Sequence, residues 1–263
     1  MLYRILFIVL LMSTIVWGQY RITTPDTTID RPGTWEVNND IIAEYGRFIA
    51  KVIVDDVIIT NPHGFVISAV TGPRVHINAT GFEIAVSVSN VVLDGIVANN
   101  FAQAIVLNGS GCTVRNCQLF NNHHGVISHG ADNVVSDNIV NDEDGWGYPI
   151  LLSSVERNQV SDNTVSGGGT AISVYSGKNN KISRNHIEGS GDGIVLYAAS
   201  DNRVDSTTGW ARHFGISVMA SGSGNVGVGN LIQGLFYDPR YPGFNPNIVS
   251  IPGNDIQGTE TGV

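Results

Sequence analysis

The chain reads as an all-β solenoid of about eight stacked parallel coils with a cap at each end. Three observations predict this. Similar segments start at Asn90, Cys112, Asn133, Asn158, Asn180, Asn202 and Asn225, so the starts are 22, 21, 25, 22, 22 and 23 residues apart. Within a segment, short apolar runs alternate with Asn, Gly and Asp, as strands separated by tight turns do. The chain also has 31 Gly and only 14% charged residues, a composition that favours strands and turns over helices.

The elements follow in order. Arg4 precedes the apolar run "ILFIVLLMSTIVW", which ends at Gly18. A basic start, an apolar core and a small final residue make residues 1–18 a secretory signal peptide. The run is shorter than the roughly 20 residues a membrane anchor needs. The mature protein is therefore expected to be secreted or extracytoplasmic, with no stable membrane span. Residues 19–45 are read as the N-terminal cap, residues 46–233 as the coils, and the Pro- and Gly-rich residues 234–263 as a C-terminal tail or cap.

Each coil aligns as "NVVSDNIV" from Asn133, "NQVSDNTV" from Asn158 and "NKISRNHI" from Asn180 do, followed by a strand such as "AISV" or "GIVL". A single unit cannot bury its apolar side, but copies stacked about 4.8 Å apart can. Asn at equivalent places can then form ladders, each amide bonding the next. Cys112 and Cys117 fall on the two ladder positions of their coil, which favours free buried thiols, although an oxidising compartment would permit a bridge.

This pattern resembles the right-handed parallel β-helix repeat proteins of the pectate-lyase-like superfold. Its nearest flavour is the NosD-like group, whose N-x-I-S-x-N-x-I…G-I spacing covers residues 50 to 233. The resemblance implies a right-handed single-stranded β-helix. It does not fix a function, because the superfold hosts lyases, hydrolases, epimerases and proteins without chemistry. The paired-Asp and His-Gly order of polygalacturonase-like hydrolases is missing, as is the D-P-H-D motif of alginate epimerases. NosD-like proteins are associated with copper delivery, yet no Met-rich or Cys-rich copper motif occurs.

A net charge of −9 with only three Lys argues against nucleic acid, which is held through clustered Lys and Arg. The chemistry-bearing residues gather at one turn. Just before the last strand of each coil, one column reads Gln103, His124, Tyr148, Thr170, Asp192, Phe214. The unit from Asn133 is lengthened beside it by Asp142, Glu143, Asp144 and Trp146, and the next coil offers only "SGGGT", expected to leave open space. Trp210 and Arg212 follow on a later coil. His124 and Asp192 would lie roughly 14 Å apart, the scale of two or three sugar rings.

Three readings of this edge stand side by side. In one, Asp192 and Glu143 are acid or metal-binding groups and Arg212 and His124 are bases, with Trp146, Tyr148 and Trp210 as the sugar platform. In another, Asp142 and Asp144 ligate Ca²⁺, without the full spacing of a calcium hand. In the third, the acidic loop is merely solvated. Asp137 and Asp162, about 5 Å apart, have the separation of a retaining glycosidase pair but suit turns equally well. Tyr175 and Tyr197 form a further outward column, able to take a glycan or to pack on each other. The leading expectation is a polysaccharide-binding β-helix that acts as a lyase, hydrolase or epimerase. The alternative is a non-catalytic NosD-like scaffold or adhesion module. No cofactor is required, with Ca²⁺ the one ion the loop would suit.

Overall fold

A computed structural model describes residues 19–44, 46–70, 79–142, 145–220, 222–234, 248–249 and 255–258. Residues 1–18, read above as a signal peptide, Glu143, Asp144 and most of the tail lie outside these residues. The described chain is a parallel β-solenoid of about 9 turns, with no helix among the described residues and therefore none long enough to cross a membrane.

Each coil lays one short strand on each of three faces. In the coil from Val92 these are Val92–Asp94 on face 1, Val97–Asn99 on face 2 and Gln103–Leu107 on face 3. Every strand pairs in parallel with its counterpart one coil away, as Thr113–Arg115 does with Val134–Ser136 and His124–Ser128 with Tyr148–Ser153. Faces 1 and 2 merge through the long strand Val226–Gly234, which pairs on both. The segment read as the N-terminal cap is itself coiled. Gln19–Ile22 pairs with Gly33–Val37, and Thr27–Ile29 with Phe48–Val52, which adds a turn to those counted from the repeats. In the tail, Ile248–Val249 extends face 3 and Asp255–Gly258 pairs with Val226–Gly234.

The two-residue period explains the core. On face 3, Ile105, Leu107, Val126, Ile150, Leu152, Ile172, Val174, Ile194, Leu196, Ile216 and Val218 point inward and are almost wholly buried. Each contributes about 1.5–3 kcal/mol of transfer free energy. The outward residues between them, such as Ile127, Ser173, Val195 and Ser217, are buried as well. Outward residues of the other two faces, including Gln159, Lys181 and Arg203 on face 1 and Ile139, Thr164 and His186 on face 2, are exposed. The middle of face 3 is therefore closed, while faces 1 and 2 and the ends of the face-3 strands, with Tyr148, Tyr175 and Tyr197, are open.

The corners are set by single residues in left-handed backbone. Between faces 1 and 2 these are Asn116, Asp137, Asp162, Arg184 and Ser206, with φ from 50° to 60°. Asn and Asp tolerate that region best. The residue after each turns inward. Asn138 Oδ1 accepts the Cys117 N–H at 2.9 Å, Asn163 Oδ1 that of Asn138 at 3.0 Å, and Asn185 Oδ1 that of Asn163 at 3.1 Å. The corner from face 3 to face 1 has its own ladder, Cys112, Asn133, Asn158, Asn180, Asn202 and Asn225, joined the same way. The ladders thus bind backbone as well as amide groups, because each corner N–H points along the axis where no strand accepts it. Cys112 and Cys117 head the two ladders as free buried thiols, and burial pushes Cys117 up to about 12.

The first repeat unit is shifted by one residue. Val91, rather than Asn90, stands opposite Cys112, since Val92 pairs with Thr113. Asn90 instead takes a φ of 57° and donates from Nδ2 to Asp56 Oδ1 at 3.2 Å. Asp94 consequently aligns with Arg115 and forms an ion pair with it.

Candidate functional site

The last outward position of face 2 forms a straight row across four coils. Asn141 pairs with Ser166, Ser166 with Glu188, and Glu188 with Trp210. At a coil spacing of about 4.8 Å this row is roughly 14 Å long. Together with Asp142, Gly145, Gly167, Gly189 and Arg212 it lines a groove of about 580 Å³ at the corner toward face 3.

Glycine makes the groove possible. Gly189 has φ +67°, and a Cβ there would meet the Trp210 ring at 3.2 Å. The indole therefore lies down on bare backbone while remaining 40% exposed. Gly167, at φ +72°, has the Asp142 carbonyl where a Cβ would be. The glycine run of this coil is nevertheless not open space as expected. A Cβ on Gly168 would lie 2.5 Å from the Pro149 ring, and one on Gly169 3.2 Å from the Trp146 carbonyl. The lengthened loop sits down on these glycines, and only Gly167 faces the groove.

Glu188 is held from its own strand. His186 Nε2 lies 3.1 Å from Glu188 Oε1, and His186 Nδ1 lies 3.1 Å from Thr208 Oγ1. When Nε2–H donates to the carboxylate, a neutral imidazole leaves Nδ1 to accept from the threonine hydroxyl. Arg212 is exposed on the groove wall and makes no ion pair among the described residues. By contrast, Arg115, Arg157 and Arg184 each clamp an Asp of the preceding coil.

The expected catalytic set is divided between this groove and the first positions of face 3. His124 and Tyr148 stand there on adjacent coils, their rings 5.6 Å apart and 7° from parallel, and the Tyr148 N–H donates to His124 Nδ1 at 3.1 Å. Asp192 continues the column, pairing with Thr170. Burial raises its carboxyl above the ordinary range, against the Phe214 N–H and the His213 imidazole, which lies 3.5 Å away. Trp146 is 81% exposed and does not line the groove. Asp142 does, but is only 2% exposed. Glu143 and Asp144 are outside the described residues. So is the proposed Asp142–Asp144 calcium pair as a pair, and no group of three His, Cys, Asp or Glu suited to a metal occurs among the described residues.

Tyr175 and Tyr197 occupy the far end of face 3, five residues or roughly 17 Å along the strand from Thr170 and Asp192. Their rings stack at 4.9 Å and 7°, so each covers one face of the other. They belong to a different surface from the groove. Asp162 is bound in a two-pronged pair by Arg184 at 2.8 and 2.7 Å, which lowers its pKa and removes it from the glycosidase-like pairing with Asp137. The residues that sequence reasoning did not assign to a site are Asn141, Ser166 and the His186–Thr208 support of Glu188.

Comparisons with known proteins agree with this architecture. The profile of a family described as periplasmic copper-binding protein (NosD) matches residues 38–207. Among solved structures, DFA-IIIase from Arthrobacter chlorophenolicus A6 in complex with GF2 superposes with a TM-score of 0.62 at 11% identity, covering 90% of this chain and 82% of that one. The tailspike protein of E. coli bacteriophage HK620, in complex with a pentasaccharide, gives 0.55 at 14% identity, covering 92% of this chain and 60% of the tailspike. No curated protein matches in sequence.

Proposed function

This chain belongs to the NosD family, and from that premise we propose that it is an extracytoplasmic β-helix protein that binds a polysaccharide in the face-2 groove. One observation carries the reading. The groove sets an exposed indole and a braced carboxylate, Trp210 and Glu188, in one open row with the polar side chains Asn141 and Ser166, and the Arg212 guanidinium lines the same groove. Aromatic faces stack on the apolar side of sugar rings, while convergent polar groups take the hydroxyls. The pentasaccharide held by the phage tailspike supports the same use of the fold, and the periplasmic description of the family supports the location.

Copper, which the family description names, does not fit the described donors. Cys112 and Cys117 are buried thiols with raised pKa values, and metals are bound by thiolates. No group of three His, Cys, Asp or Glu suited to a metal occurs among the described residues. No step of the proposal uses a metal.

Glu188, braced by His186, and Asp192, with its raised pKa, are the groups for acid–base work on a bound glycan. A second reading, binding without chemistry, is favoured by the placement of those carboxylates on opposite sides of the corner, with only Glu188 lining the groove. A polysaccharide panel decides between them. Binding is measured by affinity electrophoresis, and products by reducing-end and unsaturated-product assays, with and without Ca²⁺. Binding with product supports an enzyme, and binding without product supports the scaffold. Absence of binding to every polysaccharide sinks the proposal.

A further inference from the structure

We infer that Arg212 selects glycans bearing an anionic substituent on one sugar, flanked by neutral sugars. This rests on the groove being the saccharide site. Three observations lead to it. Arg212 is exposed and without an ion pair among the described residues, whereas the guanidinium groups of Arg115, Arg157 and Arg184 are already committed to carboxylates. It lies two residues beyond Trp210 and lines the same groove. A sugar stacked on the indole therefore brings a ring substituent within reach of the guanidinium fork, which matches carboxylate and sulfate oxygens in pairs.

The rest of the groove sets the neighbouring sugars. Among the described residues its other ionisable side chains, Asp142 and Glu188, are acidic, and the chain as a whole carries −9. A uniform polyanion would place a negative group against the exposed Glu188 carboxylate, a like-charge contact that disfavours binding. Asn141 and Ser166 continue the row with neutral donors and acceptors. The groove thus presents one cationic position next to an aromatic platform and a neutral-to-acidic track leading away from it. That pattern suits a mixed heteropolysaccharide better than a homopolyuronate.

The test compares tetrasaccharides on one backbone: neutral, carrying a single uronate, carrying a single sulfate, and uronate throughout. Affinities for the wild type, Arg212→Gln, Arg212→Lys and Trp210→Ala are read by titration calorimetry in low salt and in high salt. A charged hydrogen-bonded pair implies about tenfold or more tighter binding of the singly anionic glycans over the neutral one. Arg212→Gln should erase that preference, and Arg212→Lys should restore only part of it. The uronate and sulfate arms identify which substituent is preferred, and either preference supports the inference. Equal affinity for neutral and anionic glycans, a preference that survives Arg212→Gln, or tightest binding of the full polyuronate would overturn it while leaving the groove as a saccharide site. If wild type binds no glycan of any charge, the groove reading falls, and this inference with it.

Discussion

Two corners of the same coil obey different rules. Between faces 1 and 2, each turn is made by one left-handed residue at the same place, and the inward residue after it is bonded to the coil behind. Between faces 2 and 3, the connection varies from the single Gly191 to the long segment before Tyr148. A ladder requires like geometry from coil to coil, so the first corner satisfies its polar groups within the stack throughout, whereas the second does so where two successive connections match in length, as where Asn122 Oδ1 accepts the Phe101 N–H at 2.9 Å. At the second corner, Asn141, Ser166 and Arg212 are left to solvent and to whatever binds there. Repetition consumes polar side chains, and its interruption releases them.

Substitutions can break this contrast, and the largest effect belongs to the ladder. Asn163 Oδ1 accepts from the Asn138 N–H and Nδ2 at 3.0 and 2.9 Å, and its own Nδ2 donates to the Val135 carbonyl and Asn185 Oδ1. Asn163→Leu leaves those buried groups without partners and should cost about 3–5 kcal/mol in urea unfolding. Next comes the packed glycine. Gly168→Ala, with φ +74° and the Pro149 ring in the way, should lose about 1–3 kcal/mol. Wild-type stability in that variant would mean that the lengthened loop does not rest on the glycines. Trp146→Ala, at a side chain 81% exposed, should change stability by less than about 0.5 kcal/mol in the same unfolding experiment.

The corners should also respond to pH with opposite sign. Asp192, at the variable corner, has its carboxyl raised, mainly by burial. The fold thus favours its protonated form. Its contribution is present below the ordinary carboxylate range and is lost as pH rises through the raised value. Asp162, at the regular corner, is lowered mainly by its hydrogen bonds to Arg184. Its contribution is present above the ordinary range and is lost as pH falls through the lowered value. Because this pair is solvent-exposed, Asp162→Asn should cost under about 0.5 kcal/mol at neutral pH. Thermal melts of Asp192→Asn and Asp162→Asn across the acid range check both signs, and slopes of the same sign would remove the distinction.

The fold was legible because its rule is local and repeated. An inward apolar residue two after each Asn, and a second Asn at five, predict the coils, the ladders and the buried thiols of Cys112 and Cys117. The slip at Asn90 arose because an Asn in a left-handed turn looks in sequence like an Asn in a ladder; only the pairing of Val92 with Thr113 separates them. Trp210 and Arg212 were found at the groove, but His124, Tyr148 and Asp192 lie around the corner. The better signal was available: eight residues after successive ladder positions stand Asn141, Ser166, Glu188 and Trp210. Asn and Ser are ordinary turn residues, so their column attracts no notice until the strand register shows that it faces outward. The crowding of Gly168 by Pro149 was not readable, since it depends on how the longer loop folds back.

The groove's four coils also make it a ruler. Residues as distant in sequence as Asn141 and Trp210 are collinear, and each repeat of about 22 residues advances the row by about 4.8 Å, near the rise of one sugar unit. Deleting or duplicating a whole repeat between them would shorten or lengthen the track by one such division while leaving every ladder intact. A change of one or two residues would throw the same ladders out of register. The length of the row is therefore adjustable in steps, and the step is the coil.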